Sequence, residues 1–202
     1  MPTFDFATAQ DFMRFVGAPR VLVAIVPDGP ITAATPTSLA SFKRFLTAHA
    51  DTAGLYFTVN RTHRPMTAKP RKADIKWCDF AHVDLDPTDD VATSDLDAWQ
   101  RRAREKVCRC AYPPSIMWRS GNGLQCLWKL AKPALLDSPG AIERCEAANL
   151  GLMELFVDHE CKREGTWNID RVLRIPGSIN HPNRVKKAIG RVTVGAGDVE
   201  SL

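Results

Sequence analysis

Residues 80–87 read Phe80-Ala81-His82-Val83-Asp84-Leu85-Asp86-Pro87, and how this run is placed decides the fold. Strand side chains alternate, so Phe80, His82, Asp84 and Asp86 leave one face while Ala81, Val83 and Leu85 leave the other. One face is apolar; the other ends in two carboxylates about 7 Å apart along the strand. Like charges at that spacing repel, and nothing in local folding asks for them. A divalent cation is one reason for the pair, and a solvated strand end is the other. Pro87 has no N–H to give a ladder and closes the strand.

Working outward, Gly54 to Asn60 alternates as well, with Leu55, Phe57 and Val59 on one side and Tyr56, Thr58 and Asn60 on the other. A neighbouring strand thus presents a polar face of its own. Residues 61–76 between them are basic and broken by proline (Arg61, Arg64, Lys69, Arg71, Lys72, Lys76), as a solvated loop is, or as a segment that meets phosphate. After the Asp84 strand, Ser94 and Asp97 start a helix that runs to about Cys110 and buries Leu96, Trp99, Ala103 and Val107. Two short strands follow, joined by the turn Ser120-Gly121-Asn122-Gly123. In the second, Leu124, Cys126, Trp128 and Leu130 form the core side, and Gln125, Leu127 and Lys129 look to the polar side, with Lys132-Pro133 closing the hairpin. Ser138 caps the next helix, with Pro139 at its first position and Ile142, Cys145, Ala148, Leu152 and Leu155 inward. Residues 165–182 read as a polar loop and 188–194 as a last strand.

Ahead of this core the chain reads helix (9–16), strand (21–26), a Thr-Pro-rich loop, and a helix capped by Thr37 or Ser38 that buries Leu39, Phe42, Phe45 and Leu46. Helices and strands mix with a hairpin between helices, which predicts an α+β sheet covered by helices on one face and open on the other. At 202 residues, 45% hydrophobic and 25% charged, the chain is long enough for one sizeable core and shows neither disordered nor membrane composition. No signal-type leader opens it and no run reaches the length of a membrane span, so a cytoplasmic protein without a membrane partner is expected. A net charge of +4 permits a polyanionic partner without demanding one. The six cysteines show no C-x-x-C pair and read as buried thiols. Zinc is not expected; its one candidate is Cys108 and Cys110 with His159 and Cys161, spaced too tightly for the usual motifs.

Two further stretches carry chemistry. Asn168-Ile169-Asp170-Arg171-Val172-Leu173-Arg174-Ile175-Pro176-Gly177-Ser178-Ile179-Asn180, if extended, puts Asp170, Val172 and Arg174 on one face. That offers a third carboxylate and a guanidinium together, as nucleotidyl transfer with two metals requires, or else a structural ion pair beside a Pro-Gly turn. The backbone N–H groups of Ser120-Gly121-Asn122-Gly123 can approach a phosphate, with Gln125 next along, or the turn is only a turn.

In this order the three stretches resemble the archaeo-eukaryotic primase superfamily, the primase-polymerases. His82-Val83-Asp84-Leu85-Asp86 matches its first motif, a strand ending in Asp-x-Asp; Ser120, Gly121 and Gly123 match the second; Ile169-Asp170 matches the third. The run Asp170-Arg171-x-x-Arg174-x-Pro176-Gly177 that closes with Asn180 is similar to primases of plasmids, phages and mobile elements. Gln125 stands where most members have histidine, as in the RepB-like plasmid replication primases. Glutamine donates a hydrogen bond but carries no charge.

The resemblance implies one catalytic domain over residues 1–202: a small N-terminal αβ lobe (1–53), a motif-bearing RRM-like mixed sheet (54–195), a tail (196–202), and an active site in the cleft between lobe and sheet. It implies Asp84, Asp86 and Asp170 as the catalytic carboxylates around two Mg2+ or Mn2+ ions. Arg119, Ser120, Gly121, Gly123, Gln125, Arg171, Arg174 and Asn180 would bind nucleotide, with Asn60, Lys72, His82 and Tyr56 as further candidates. The partners it implies are a single-stranded DNA template, NTPs or dNTPs, and a replicative helicase in cis or trans. Three alternatives use parts of the same pattern: a metal-dependent nuclease with His82 as general base, a catalytically silent single-strand-binding module, and a rolling-circle initiator. The last needs a tyrosine nucleophile and a His-x-His pair, and the chain has two tyrosines and no such pair.

Overall fold

The computed structural model describes residues 2–17, 19–163 and 165–201. Helix α1 (Phe6–Val16) is capped by the Asp5 carboxylate, which accepts from Thr8 N. Strands β1 (Leu22–Ile25) and β2 (Ile31–Ala34) form a hairpin, so part of the Thr-Pro loop is a strand. Ser38 caps α2 (Leu39–His49) through a reciprocal box with Ser41. Then come β3 (Gly54–Thr58), the two-residue β4 (Arg61–Thr62) and the long β5 (Ile75–Leu85). They are followed by α3 (Leu96–Cys108), β6 (Ile116–Arg119), β7 (Leu124–Leu135), α4 (Pro139–Glu154, capped by Ser138), β8 (Val172–Arg174) and β9 (Ile179–Asn180). The chain closes with α5 (Arg184–Ala188), β10 (Val194–Gly195) and β11 (Gly197–Ser201).

Two antiparallel sheets carry the fold, in the orders β2-β1-β3-β8 and β11-β6-β7-β5-β4, with β9 and β10 paired apart from them. The α+β class with helices over one sheet face is as expected, but the described pairs of the five-stranded sheet are antiparallel rather than mixed. One face of this sheet (Val83, Leu85, Met117, Leu124, Cys126) packs on Trp99 and Val107 of α3 and Met153 of α4. The other face, expected to be open, is covered over much of its area. Phe80, Ile116, Trp118 and Leu127 meet Leu55, Phe57 and Leu173 of the four-stranded sheet, with Phe12 of α1 wedged between. Apolar residues on both faces of β7 explain this: Leu127, expected on the polar side, is fully buried, and a face that carries Leu and Trp needs a partner.

Three boundaries move for physical reasons. Pro133 does not end β7: the β5–β7 register jumps between Cys78↔Ala134 and Phe80↔Lys129, and Lys132-Pro133 sit in that bulge, where no ladder N–H is needed. Residues 196–201 are not a tail, because β11 pairs with β6 and Val199 packs against the core. The strand expected at 188–194 is instead the end of α5 and a loop that enters β10. Residues 54–58 and 172–174, placed with the motif-bearing region, complete the N-terminal sheet as β3 and β8.

Candidate active site

The site is built on one row of the five-stranded sheet. Register sets Asp84 opposite Gln125 and Gln125 opposite Trp118, so the three side chains share the face turned to the four-stranded sheet. Gln125 Nε2 donates to Asp84 Oδ1 at 2.9 Å, and Gln125 Oε1 accepts from the backbone N of Arg174 at 3.0 Å. The Trp118 indole donates to Arg174 O at 3.0 Å. That residue lies on β8, an edge strand whose other side is paired with β3. Side chains of one sheet therefore satisfy edge groups of the other, and the two sheets are joined at Asp84.

Asp84 is 6% exposed. Its second oxygen accepts from Arg171 Nη2 at 2.7 Å, so one guanidinium and one amide hold the buried carboxylate. Asp86, half-buried at the strand end, lies against the turn. A Cβ at Gly123 would overlap its carboxylate and the Leu85 carbonyl and would come within 3.0 Å of Ser120 Oγ. Glycine at 123 is thus what lets the acidic strand end and the turn meet. Gly121 has φ +107°, and Asn180 of β9, itself buried, packs where a Cβ would stand. Gln100 of α3, which the sequence reading missed, fixes the turn by donating to Gly121 O at 2.8 Å.

Other expected residues are held elsewhere. Arg174 stacks on the Tyr56 ring, 4.6 Å from its centroid, and donates to its hydroxyl at 2.7 Å, on the Tyr56 side of β8. Asn60 is fully buried and bridges backbones, accepting from Asp79 N and donating to Ile169 O. Lys72 pairs with Glu146 of α4 at 2.8 Å, and Glu146 also accepts from Ile169 N, which positions the segment entering β8. Arg119 is opposite Leu124, on the face away from Asp84, and pairs with Asp97 and Asp198. Asp170 is half-buried in a turn closed by Arg171 N to Asn168 O at 3.0 Å. The turn interrupts strand alternation, and the residue of this segment bonded to Asp84 is Arg171.

His82, two residues behind Asp84, is sealed. Asn149 Oδ1 accepts from His82 N at 3.0 Å, which makes Asn149 Nδ2 a donor toward His82 Nδ1. The ring proton therefore sits on Nε2 and goes to Thr166 O at 2.9 Å. Burial holds this imidazole down to about 4, with the Arg171 charge acting in the same direction.

Among the described residues no three His, Cys, Asp or Glu side chains gather as a metal-holding group, Cys108, Cys110, His159 and Cys161 included. A closed protein cage is thus not formed. An ion of the Mg2+ type is held by one or two carboxylates together with substrate phosphates, and the Asp84–Asp86 pair beside a glycine cradle fits that mode.

No family model and no curated protein sequence matches the chain. In structure it is similar to the AEP domain of the primase-polymerase (PrimPol) of Cyanophage S-2L, with a TM-score of 0.57 at 18% identity over 98% of this chain and 91% of that one. The fold is that of a primase-polymerase AEP domain. No helix among the described residues is long and apolar enough to cross a membrane.

Proposed function

We propose that the chain is a DNA-dependent primase-polymerase, a nucleotidyltransferase that makes oligonucleotide primers on single-stranded DNA for a plasmid, phage or mobile element, of the RepB-like branch. One observation carries this reading. The Asp84–Asp86 strand end meets the Ser120–Gly123 turn, and Gln125 ties it to β8, within a fold shared with a primase-polymerase domain.

The reaction joins a 3′-oxygen to the α-phosphorus of a nucleotide and breaks the bond to the bridging oxygen, releasing pyrophosphate. Asp84 and Asp86 would hold an Mg2+ or Mn2+ ion, with Asp170 as the third carboxylate of the family pattern, and the ion would supply charge neutralisation at the reacting phosphate. Gln125 fixes the Asp84 carboxylate and turns one oxygen toward its own amide. Because it is neutral, Arg171 is the cation bonded to Asp84 and balances it before substrate enters. Ser120 and the N–H groups near Gly121 and Gly123 face incoming phosphates, with Asn180 behind the turn. Arg174, Arg119, Lys72 and Tyr56 are engaged with other side chains as described, and Asn60 bridges backbone groups. The nuclease alternative asks for a base beside the carboxylates, and His82 is closed to that role by Asn149 and Thr166.

Incubation with Mn2+, unprimed circular single-stranded DNA and labelled NTPs or dNTPs tests the proposal. Labelled oligonucleotides lost in Asp86→Asn support it. An intact template with no product overturns it, and a shortened template transfers the site to a nuclease. Adding a helicase domain from a replicon of the same type tests the helicase partner, with longer or more frequent primers expected.

A further inference from the structure

Helix α4 packs against β5, and two of its residues hold the segments behind the acidic strand end. Asn149 Oδ1 accepts from His82 N at 3.0 Å, and Glu146 accepts from Ile169 N at 3.2 Å and pairs with Lys72 at 2.8 Å. The same helix meets the strand at a third point. Cys145, one residue before Glu146 and one helical turn before Asn149, packs into an apolar cluster with Cys78 of β5, Ile75, Leu136 and Ile169. Two cysteines from elements far apart in sequence are thereby set side by side. Cys78 Sγ donates to Phe80 O at 3.5 Å, and the Cys145 thiol is hydrogen-bonded to the Cys78 side chain.

The two thiols differ in access. Cys78 is 3% exposed, and burial, with the neighbouring thiol acting in the same direction, raises its pKa far above the ordinary thiol value. Cys145 is half-buried and is reached from solvent. The remaining cysteines are placed differently: Cys110 Sγ donates to Tyr112 O at 2.8 Å, Cys126 and Cys161 are buried in the cluster under α3, and Cys108 is exposed. Among the described residues no third His, Cys, Asp or Glu joins Cys78 and Cys145 in a metal-holding group. Paired thiols with one accessible member have the arrangement of a dithiol that oxidises in two steps.

We propose that Cys78 and Cys145 are a redox modification site, at which hydrogen peroxide closes a reversible disulfide that staples α4 to β5. The Cys145 thiolate attacks one peroxide oxygen, the O–O bond breaks, and Cys145 becomes a sulfenic acid as the first water leaves. The Cys78 sulfur then attacks the Cys145 sulfur and the S–O bond breaks. The hydroxide released takes the Cys78 proton and leaves as the second water. Two thiols and one peroxide become one disulfide and two waters, and a dithiol reverses the change by exchange. Because the buried Cys78 keeps its proton until the second step, closure is slower than the oxidation of Cys145. The bridge closes a loop that contains α3, β6 and β7 and so restricts the unfolded chain. It also fixes the helix that seals His82 and holds Ile169, two residues before the arginine bonded to Asp84. The inference is independent of the proposed function.

The test is treatment of the full chain with hydrogen peroxide, in a Cys108→Ser background that removes the exposed thiol as a partner between chains. Remaining thiols are alkylated in urea, and peptides are mapped by mass spectrometry without reductant. A linked pair of peptides holding Cys78 and Cys145, two hydrogens lighter than its parts and recovered from monomeric protein, is expected. The thermal midpoint should rise by roughly 5 °C or more on oxidation and return with dithiothreitol. Cys145→Ser, a small change at a half-buried position, should fold as the parent does and lose both the linked peptides and the rise. Recovery of Cys78 and Cys145 as alkylated thiols after peroxide overturns the site. So does Cys145 driven to its sulfinic acid beside an unmodified Cys78, and so does a linked pair that leaves the midpoint where it was. A chain that forms the bridge and makes no primers keeps this site and loses the polymerase.

Discussion

Two buried aspartates on the same strand, Asp79 and Asp84, are held in opposite ways. Asp79 receives two guanidiniums: Arg20, whose side chain is 1% exposed, at 2.7 Å, and Arg61 at 2.8 Å. Arg20 is also tied to Val16 O and Gly17 O and stands over the Phe80 ring. Burial pulls its guanidinium below the ordinary value, opposed by the Asp79 charge. Asp84 has one guanidinium, Arg171, whose side chain is about a third exposed, and one neutral amide, with a second acid two residues on. Two guanidiniums surround the acid in the first case; one guanidinium and one neutral amide hold it in the second. The first cluster is a closed structural joint. Asp84 has one bonded guanidinium fewer than Asp79 and is reached from solvent through its cation, which suits it to a further cation arriving with substrate.

The contrast yields graded predictions. Asp84→Asn keeps a similar shape and removes the charge, and nucleotide incorporation is expected to fall by roughly a thousandfold with the thermal midpoint little changed. Asp79→Asn is expected to do the reverse: it leaves Arg20 buried without its acid, at a cost of about 3–5 kcal/mol in urea denaturation, while the folded fraction still incorporates nucleotide. If Asp79→Asn removed activity without loss of stability, the division between joint and site would fail.

A pH effect comes next. The unfolded chain protonates His82 below about 6.5, whereas the folded chain keeps it neutral down to about 4. The unfolded state therefore binds the extra proton between these values, and stability falls as pH drops through that window, by up to about 3 kcal/mol. Denaturation midpoints at pH 7.5 and 5 should differ less in His82→Gln than in wild type; equal differences would place the imidazole outside the seal. The smallest effect is at Gln125→Leu, which strands the Arg174 N–H and one Asp84 oxygen. It is expected to cost about 1–3 kcal/mol, read from the same denaturation curves, without the pH dependence.

What the sequence made legible follows from what is local. Alternation along β5 puts Asp84 and Asp86 on one face, and the Ser-Gly-Asn-Gly turn sets Ser120 and Gln125 at one end of the β6–β7 hairpin, because a hairpin's register is set by its turn; the β5–β7 pairing that joins the two is between strands separated in sequence by α3 and β6. The choice of Arg171 over Arg174 as the partner of Asp84 was not legible, since it depends on a turn at 168–171 that breaks the alternation. Asn60, Lys72 and Arg119 look like ligand contacts by composition. Their actual partners, Asp79 and Ile169, Glu146, and Asp97 with Asp198, come from other elements and appear only once the chain is folded. Trp118 offered a signal that went unused: it alternates with Ile116 on the strand before the turn, and a buried indole needs an acceptor. That β11 closes the sheet edge was hidden in a short, polar sequence whose strand character comes from pairing with β6.

The central claim, that the end of β5 takes a divalent ion together with a nucleotide, is tested most directly by electron paramagnetic resonance of Mn2+ titrated into the protein with and without a non-hydrolysable nucleoside triphosphate. Loss of the free Mn2+ signal beyond that caused by the nucleotide alone in a protein-free control is predicted for wild type and Asp79→Asn and not for Asp84→Asn or Asp86→Asn. Binding of Mn2+ and nucleotide by Asp86→Asn at wild-type strength would contradict it.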